Sequence, residues 1–117
     1  MKLLLVDDSA TMRRIQKTQV ATMGITEIEE AANGEEALTK LSQAAFDVVL
    51  LDWNMPVMDG ITCLQNIRKN AALSSVKVIM CTSESEKSKV MEALKAGAAN
   101  YIVKPFTPEA LKEKLGL

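Results

Sequence analysis

The chain has 117 residues, 48% apolar and 25% charged, with 14 Lys and Arg against 15 Asp and Glu. That length suits one domain around one core. The balance sets aside disorder and any sequence-blind affinity for nucleic acid or anionic membrane. There is no histidine, which excludes His-based general-base catalysis and argues against a zinc site.

The chain opens MKLLLVDD, where Lys2–Val6 reads as a short buried strand. Acids end that run too early for a signal peptide, and no apolar run is long enough to span a bilayer. Ser9 can cap a helix reaching about Met23, with Gly24 at its C′ position. TEIEEA, residues 26–31, is a polar strand and so an expected sheet edge. Asn33 and Glu36 resemble a capping box ahead of a helix whose apolar face is Ala37, Leu38, Leu41 and Ala45. Residues 47–51 form the third strand. Asp59 can cap a third helix, buried through Ile61, Leu64 and Ile67. Residues 76–80 make the fourth strand. A helix near 86–96 is expected to pack through Val90, Met91 and Leu94 and to stop at Gly97. Asn100–Val103 is the fifth strand, and Thr107 with Pro108 opens the last helix, to about Leu115. That helix is short for such an architecture, so the natural C-terminus is expected to be clipped or lean. Met12, Met23, Met80 and Met91 read as core or near-core filler. Cys63 and Cys81 have no metal-ligand spacing and read as small buried hydrophobes of a reducing cytosol.

Neither a long linker nor a repeat interrupts this alternation, so residues 1–117 read as a single α/β domain. Five βα units imply a five-stranded parallel sheet with five helices on both faces. The commonest order for it is 2-1-3-4-5, the flavodoxin-like arrangement. Strands 1, 3 and 4 are then central, and they carry the most continuous apolar runs.

The stretch DVVLLDWNMP, residues 47–56, brings a carboxylate straight out of a buried strand. A charged Asp52 inside the core would cost several kcal/mol, about the desolvation of an unpaired ion, so it is expected where the strand surfaces, facing a positive group. In doubly wound sheets ligands bind beyond the carboxyl ends of the strands, where the strand order reverses. Strand 1 ends in Asp7 and Asp8, strand 3 in Asp52, strand 4 in Cys81, Thr82 and Ser83, and strand 5 in Lys104 and Pro105. Three acids in one crevice repel one another, so either some are protonated or a cation is present. Lys104 brings too little charge for all three, and a hard divalent ion such as Mg2+ suits an all-oxygen donor set. A metal, a hydroxyl, an amine and a carboxylate together match the needs of phosphoryl transfer, with Asp52 as nucleophile. Each residue taken singly has a plainer reading. Asp7 or Asp8 would be a loop acid or a cap, Thr82 a strand-end residue and Lys104 a solvated lysine. Tyr101 would be a half-buried edge aromatic, and Trp53 a partly exposed loop aromatic.

Four segments together resemble the receiver domains of bacterial two-component response regulators: LLLVDDS (3–9), VVLLDWNMPVMDG (48–60), VIMCTS (78–83) and AGAANYIVKPF (96–106). The likeness spans essentially the whole chain. Trp53 after the acceptor, and a chain that ends with the fifth helix, bring it nearest the free-standing chemotaxis members. The resemblance implies that Asp52 accepts a phosphoryl group from a histidine kinase. It implies that one Mg2+ is bound by Asp8, Asp52 and the main-chain carbonyl of Asn54, with Asp7 acting largely through water. Lys104 would pair with phosphoryl or carboxylate oxygens, Thr82 would hydrogen-bond the phosphoryl group, and Tyr101 would turn inward behind it. The Lys104–Pro105 bond would be cis. Helix 4, strand 5 and helix 5 would form the output face, here Lys87, Val90, Tyr101 and Lys114. Asn54 and Glu84 would flank the site and tune dephosphorylation, and Trp53 would report on it. The partners implied are the kinase and a separate effector, the flagellar motor switch if the pathway is chemotaxis. A cytoplasmic monomer is expected that is not an enzyme, inserts in no membrane and, having no DNA-binding segment, does not itself bind nucleic acid.

Three rivals make different demands. A haloacid-dehalogenase-type phosphatase needs Asp-x-Asp after strand 1 and usually a cap domain; here Asp7-Asp8-Ser9 stands there. A flavodoxin-like electron carrier needs a hydroxyl- and glycine-rich phosphate loop, which the acid pair would repel. A degenerate receiver would lack part of the Asp7, Asp8, Asp52, Thr82 and Lys104 set.

Overall fold

In a computed structural model, which describes residues 1–82 and 87–117 (of Lys87, the backbone only), strands and helices alternate along the chain. The strands are β1 (Lys2–Val6), β2 (Glu27–Ala31), β3 (Val48–Asp52), β4 (Lys77–Thr82) and β5 (Asn100–Val103). The helices are α1 (Ala10–Ala21), α2 (Gly34–Gln43), α3 (Gly60–Lys69), α4 (Lys87–Lys95) and α5 (Pro108–Leu115). A short 3-10 turn, Ala71–Leu73, which the sequence did not suggest, leads into β4.

All pairings are parallel and the order is β2-β1-β3-β4-β5, as expected. Successive residues of a strand point to opposite faces, which explains why the central strands are apolar at every position between their ends. Leu4, Val6, Val49, Leu51, Val78 and Met80 face one core, closed by residues of α2, α3 and α4 such as Leu41, Leu64, Ile67 and Ala93. Leu3, Leu5, Val48, Leu50, Ile79 and Cys81 face the other, closed by Val20 of α1 and by Leu111 and Leu115 of α5. The polar β2 forms an edge, where Glu29 pairs with Lys2 at 3.0 Å and with Lys40 at 3.5 Å.

Helix starts follow the capping residues. Ser9 Oγ accepts from the Met12 N–H at 3.2 Å, and Asn33 Oδ1 from that of Glu36 at 2.9 Å. Asp59 Oδ1 accepts from the Thr62 N–H at 2.9 Å, and Thr107 Oγ1 from that of Ala110 at 3.1 Å.

Several boundaries and faces differ from the sequence reading, among them α1, which stops at Ala21, and β2, which starts at Glu27. β3 runs one residue further and includes Asp52. β4 begins at Lys77 and reaches Thr82. α2 stops at Gln43, so Ala45 lies beyond it and is exposed. On α4 the buried contact is Ala93 with half-buried Val90, while Met91 is 52% and Leu94 42% exposed. A small residue lets that helix lie close to its neighbours, so the larger side chains turn outward.

Candidate functional site

The last rungs of β1, β3 and β4 place the polar groups. Asp52 pairs in register with Cys81, and the next residue, Trp53, donates its N–H to the Cys81 carbonyl at 3.0 Å. The acid is therefore fixed by sheet hydrogen bonds and lies deeper than expected, only 6% exposed. What makes this tolerable is Lys104, whose Nζ stands 2.8 Å from Asp52 Oδ1 and 3.1 Å from Asp7 Oδ2. Lys104 follows β5, is tied by its N–H to the Thr82 carbonyl at 2.6 Å, and precedes Pro105 through a cis peptide bond.

Asp7 is buried and held on every side. Its N–H donates to the Ala31 carbonyl at 3.1 Å, Oδ1 accepts from the Ser9 N–H at 2.9 Å, and Oδ2 takes the Lys104 ammonium. Asp8, by contrast, is exposed. One carboxylate oxygen from each of Asp7, Asp8 and Asp52 lies within 4.8 Å of the others, so the three predicted acids meet.

Burial pushes the Asp52 carboxyl above its ordinary range; the Lys104 bond and charge oppose this, and Asp7 and Asp8 add to it. Burial works against the Lys104 ammonium, but bonding and attraction to Asp52, then Asp7, outweigh it and raise its pKa. Burial pushes the Cys63 and Cys81 thiols up to about 12, so neither acts as a thiolate ligand or nucleophile near neutral pH. Among the described residues the donors are thus all oxygens, three carboxylates face one ammonium, and Asp8 stands open to solvent. That is the chemistry of a site for a small hard divalent cation.

The remaining predicted residues surround this pocket. Thr82 is buried at the end of β4, and Asn54 is exposed two residues past Asp52. Trp53, expected to be partly exposed, is only 8% exposed; its ring packs in the α2–α4 core under Lys89, whose Nζ lies 5.7 Å from the ring centroid. Tyr101 is half-buried against that same core, with Lys114 Nζ 4.9 Å from its ring centroid. Lys114 also stands 3.5 Å from Asn100 Oδ1. Val90 is half-buried on α4. Glu84 and the Lys87 side chain lie outside the described residues, as does Ser83.

Two contributors escaped the sequence reading. Arg13 of α1 donates from Nη1 to the Asp7 carbonyl at 2.6 Å and from Nε to Glu30 at 3.0 Å. Its partners are distant in sequence, so no spacing marks it. Gly60 donates its N–H to the Trp53 carbonyl at 2.8 Å, and a Cβ there would press into the Asp52 carbonyl oxygen. The sequence showed Gly60 only as the end of a resembling segment.

Known proteins are similar to this chain in sequence and fold. Residues 3–116 match the response regulator receiver domain. The chain is 49% identical over 116 residues to chemotaxis protein CheY1 of Helicobacter pylori, covering 98% of this chain and 94% of that protein. The chemotaxis response regulator CheY4 of Vibrio cholerae superposes with a TM-score of 0.91 at 38% identity, over 98% of this chain and 95% of that one. A CheY from Borrelia burgdorferi, solved as a CheX–CheY–BeF3–Mg2+ complex, gives 0.92 at 34% identity, over 98% and 86%. With the acid pair after β1, the buried acid closing an otherwise apolar β3 and the lysine bridging them, this near end-to-end match makes the chain a member of the receiver domain family of two-component signalling.

Proposed function

We propose that the chain is a phospho-accepting switch in which Asp52 takes a phosphoryl group from the phosphohistidine of a histidine kinase. A carboxylate oxygen of Asp52 forms the new O–P bond as the N–P bond breaks, and the leaving imidazole nitrogen keeps the electron pair and takes a proton. The Lys104 ammonium, already 2.8 Å from Asp52 Oδ1 and 3.1 Å from Asp7 Oδ2, carries this reading, because it neutralises charge where the phosphoryl oxygens arrive. Asp8, Asp52 and the Asn54 carbonyl would hold one Mg2+, with Asp7 contributing through water. Bound there, the ion neutralises charge on the phosphoryl oxygens. Ser9 and Lys104 fix the direction of the Asp7 carboxylate for that role.

The new charge then biases a two-state element through contacts that differ between the states. Thr82 donates its hydroxyl proton to the phosphoryl group, and Tyr101 turns inward on the neighbouring strand. The surface of α4, β5 and α5, with Lys87, Val90, Tyr101 and Lys114, presents the change to a separate effector. Asn54 and Glu84 tune hydrolysis of the phosphoryl group. The chain is not an enzyme on other substrates; it assists its own phosphorylation and dephosphorylation. Likeness to CheY proteins favours chemotaxis, with the flagellar motor switch as effector, over another phosphorelay. We place it in the cytoplasm as a monomer; no described helix is long and apolar enough to cross a membrane.

Intact-mass analysis with a small-molecule phosphodonor tests this. The parent should gain one phosphoryl group only with Mg2+ present, and Trp53 emission should change in step. Asp52→Asn should show neither response. Equal labelling of that variant would remove Asp52 as acceptor. Rapid turnover of a phosphomonoester would favour a small phosphatase instead.

A further inference from the structure

Resting on the metal reading above, we infer that Arg13, with Glu30 as its counter-ion, is a positioning residue that sets the preference of the acidic pocket for Mg2+ over larger divalent ions.

The guanidinium sits on the first turns of α1, its side chain only 17% exposed, and joins three elements. Nη1 reaches the Asp7 carbonyl at 2.6 Å, and Nε meets Glu30 Oε1 of β2 at 3.0 Å. Lys17 Nζ lies 3.9 Å from the other Glu30 oxygen and steadies that acid. The Asp7 carbonyl belongs to the peptide joining Asp7 to Asp8. The preceding peptide is held by the Asp7 N–H on Ala31, and the Asp7 side chain by Ser9 and Lys104. Arg13 therefore supplies the remaining restraint on the plane from which Asp8 projects. Asp8 is exposed, so its direction comes from this backbone and not from packing of its own.

The consequence depends on the ion. Mg2+ demands near-octahedral geometry with bonds of about 2.0–2.1 Å, whereas Ca2+ accepts irregular sets at about 2.3–2.6 Å. A loosened Asp8 should cost Mg2+ far more than Ca2+. Simple charge predicts the opposite sign: Arg13 is a cation near the pocket, and its removal would tighten every divalent ion.

The test is titration calorimetry of Mg2+ and Ca2+ on the parent, Arg13→Met, Arg13→Lys and Glu30→Gln, each checked for folding by circular dichroism. Arg13→Met should raise the Mg2+ Kd about tenfold, the usual scale for loss of a group that orients a ligand. The Ca2+ Kd should rise much less. Arg13→Lys, which keeps the charge but loses the planar fork, should shift both in the same direction and carries the test if Arg13→Met does not fold. Glu30→Gln should give a smaller loss of the same kind. An unchanged or lower Mg2+ Kd, or equal weakening of both ions, overturns the inference while leaving the metal site intact. Failure of the parent itself to bind Mg2+ overturns both.

Discussion

Asp52 is an acid that the fold holds in its less comfortable form. Its folded pKa is raised above the unfolded value of about 3.9, so the native state binds this proton more tightly than the unfolded chain. Its contribution to stability is intact below about pH 4 and is lost as pH rises through the folded value. At neutral pH, in chelator, Asp52→Asn should therefore stabilise the domain, read as a higher urea midpoint. The gain should shrink toward pH 4; a loss at pH 7 would contradict the account. Lys104 works the other way. Lys104→Met leaves two buried acids facing each other, and about 3 kcal/mol or more should go at pH 7. A different strain sits at Val57, whose φ of 72° is left-handed, beneath a Met58 N–H to Pro56 carbonyl bond of 2.8 Å. It is a branched residue in a conformation that suits Asn or Gly, so Val57→Asn should gain about 1 kcal/mol by urea titration. Asp52 could be read from the sequence because an acid closing an apolar run demands an explanation. Val57 could not, since only the fold makes its φ positive, and Arg13 could not, since its partners are residues 7 and 30.

Among elements, the strands were the most readable. β1, β3 and β4 are covered on both faces, so every interior position is apolar, and the polar β2 announces an edge. Caps were readable too, because Ser9, Asn33, Asp59 and Thr107 act within three residues of themselves. Helix faces were harder. On α1 a polar Gln16 turns inward and is buried beside Val20. On α4 hydrophobicity pointed to Met91 and Leu94, but helical spacing links Val90 to Ala93, and the smaller pair is the inner one. Met91→Ser and Leu94→Lys should each change stability by less than about 0.5 kcal/mol, as exposed substitutions do. Ala93→Leu should cost about 1–3 kcal/mol through overpacking. Urea midpoints of the three variants decide the matter, and a large loss at Met91 with none at Ala93 would restore the periodicity reading.

At the scale of the whole molecule, β1, β3 and β4 are the shared wall of two cores. Alternate side chains of one strand, such as Leu4 and Leu5, enter opposite ones. Neither core can open without the other losing a wall, so the domain should unfold as one cooperative unit. A thiol lies on each side: Cys63 of α3 in one core and Cys81 of β4 in the other. Burial raises both to about 12, so a thiol reagent reaches them only through opening. Labelled under native conditions and mapped by peptide mass, the two cysteines should react at rates that track one opening equilibrium. Mg2+ held by the rim acids would stabilise only the closed form and slow both by the same factor, about a hundredfold when the ion is at a hundred times its Kd. Fast, Mg2+-insensitive labelling of Cys63 alone would mean that α3 opens by itself. The pocket at the rim would then be energetically separate from the helix that packs behind it.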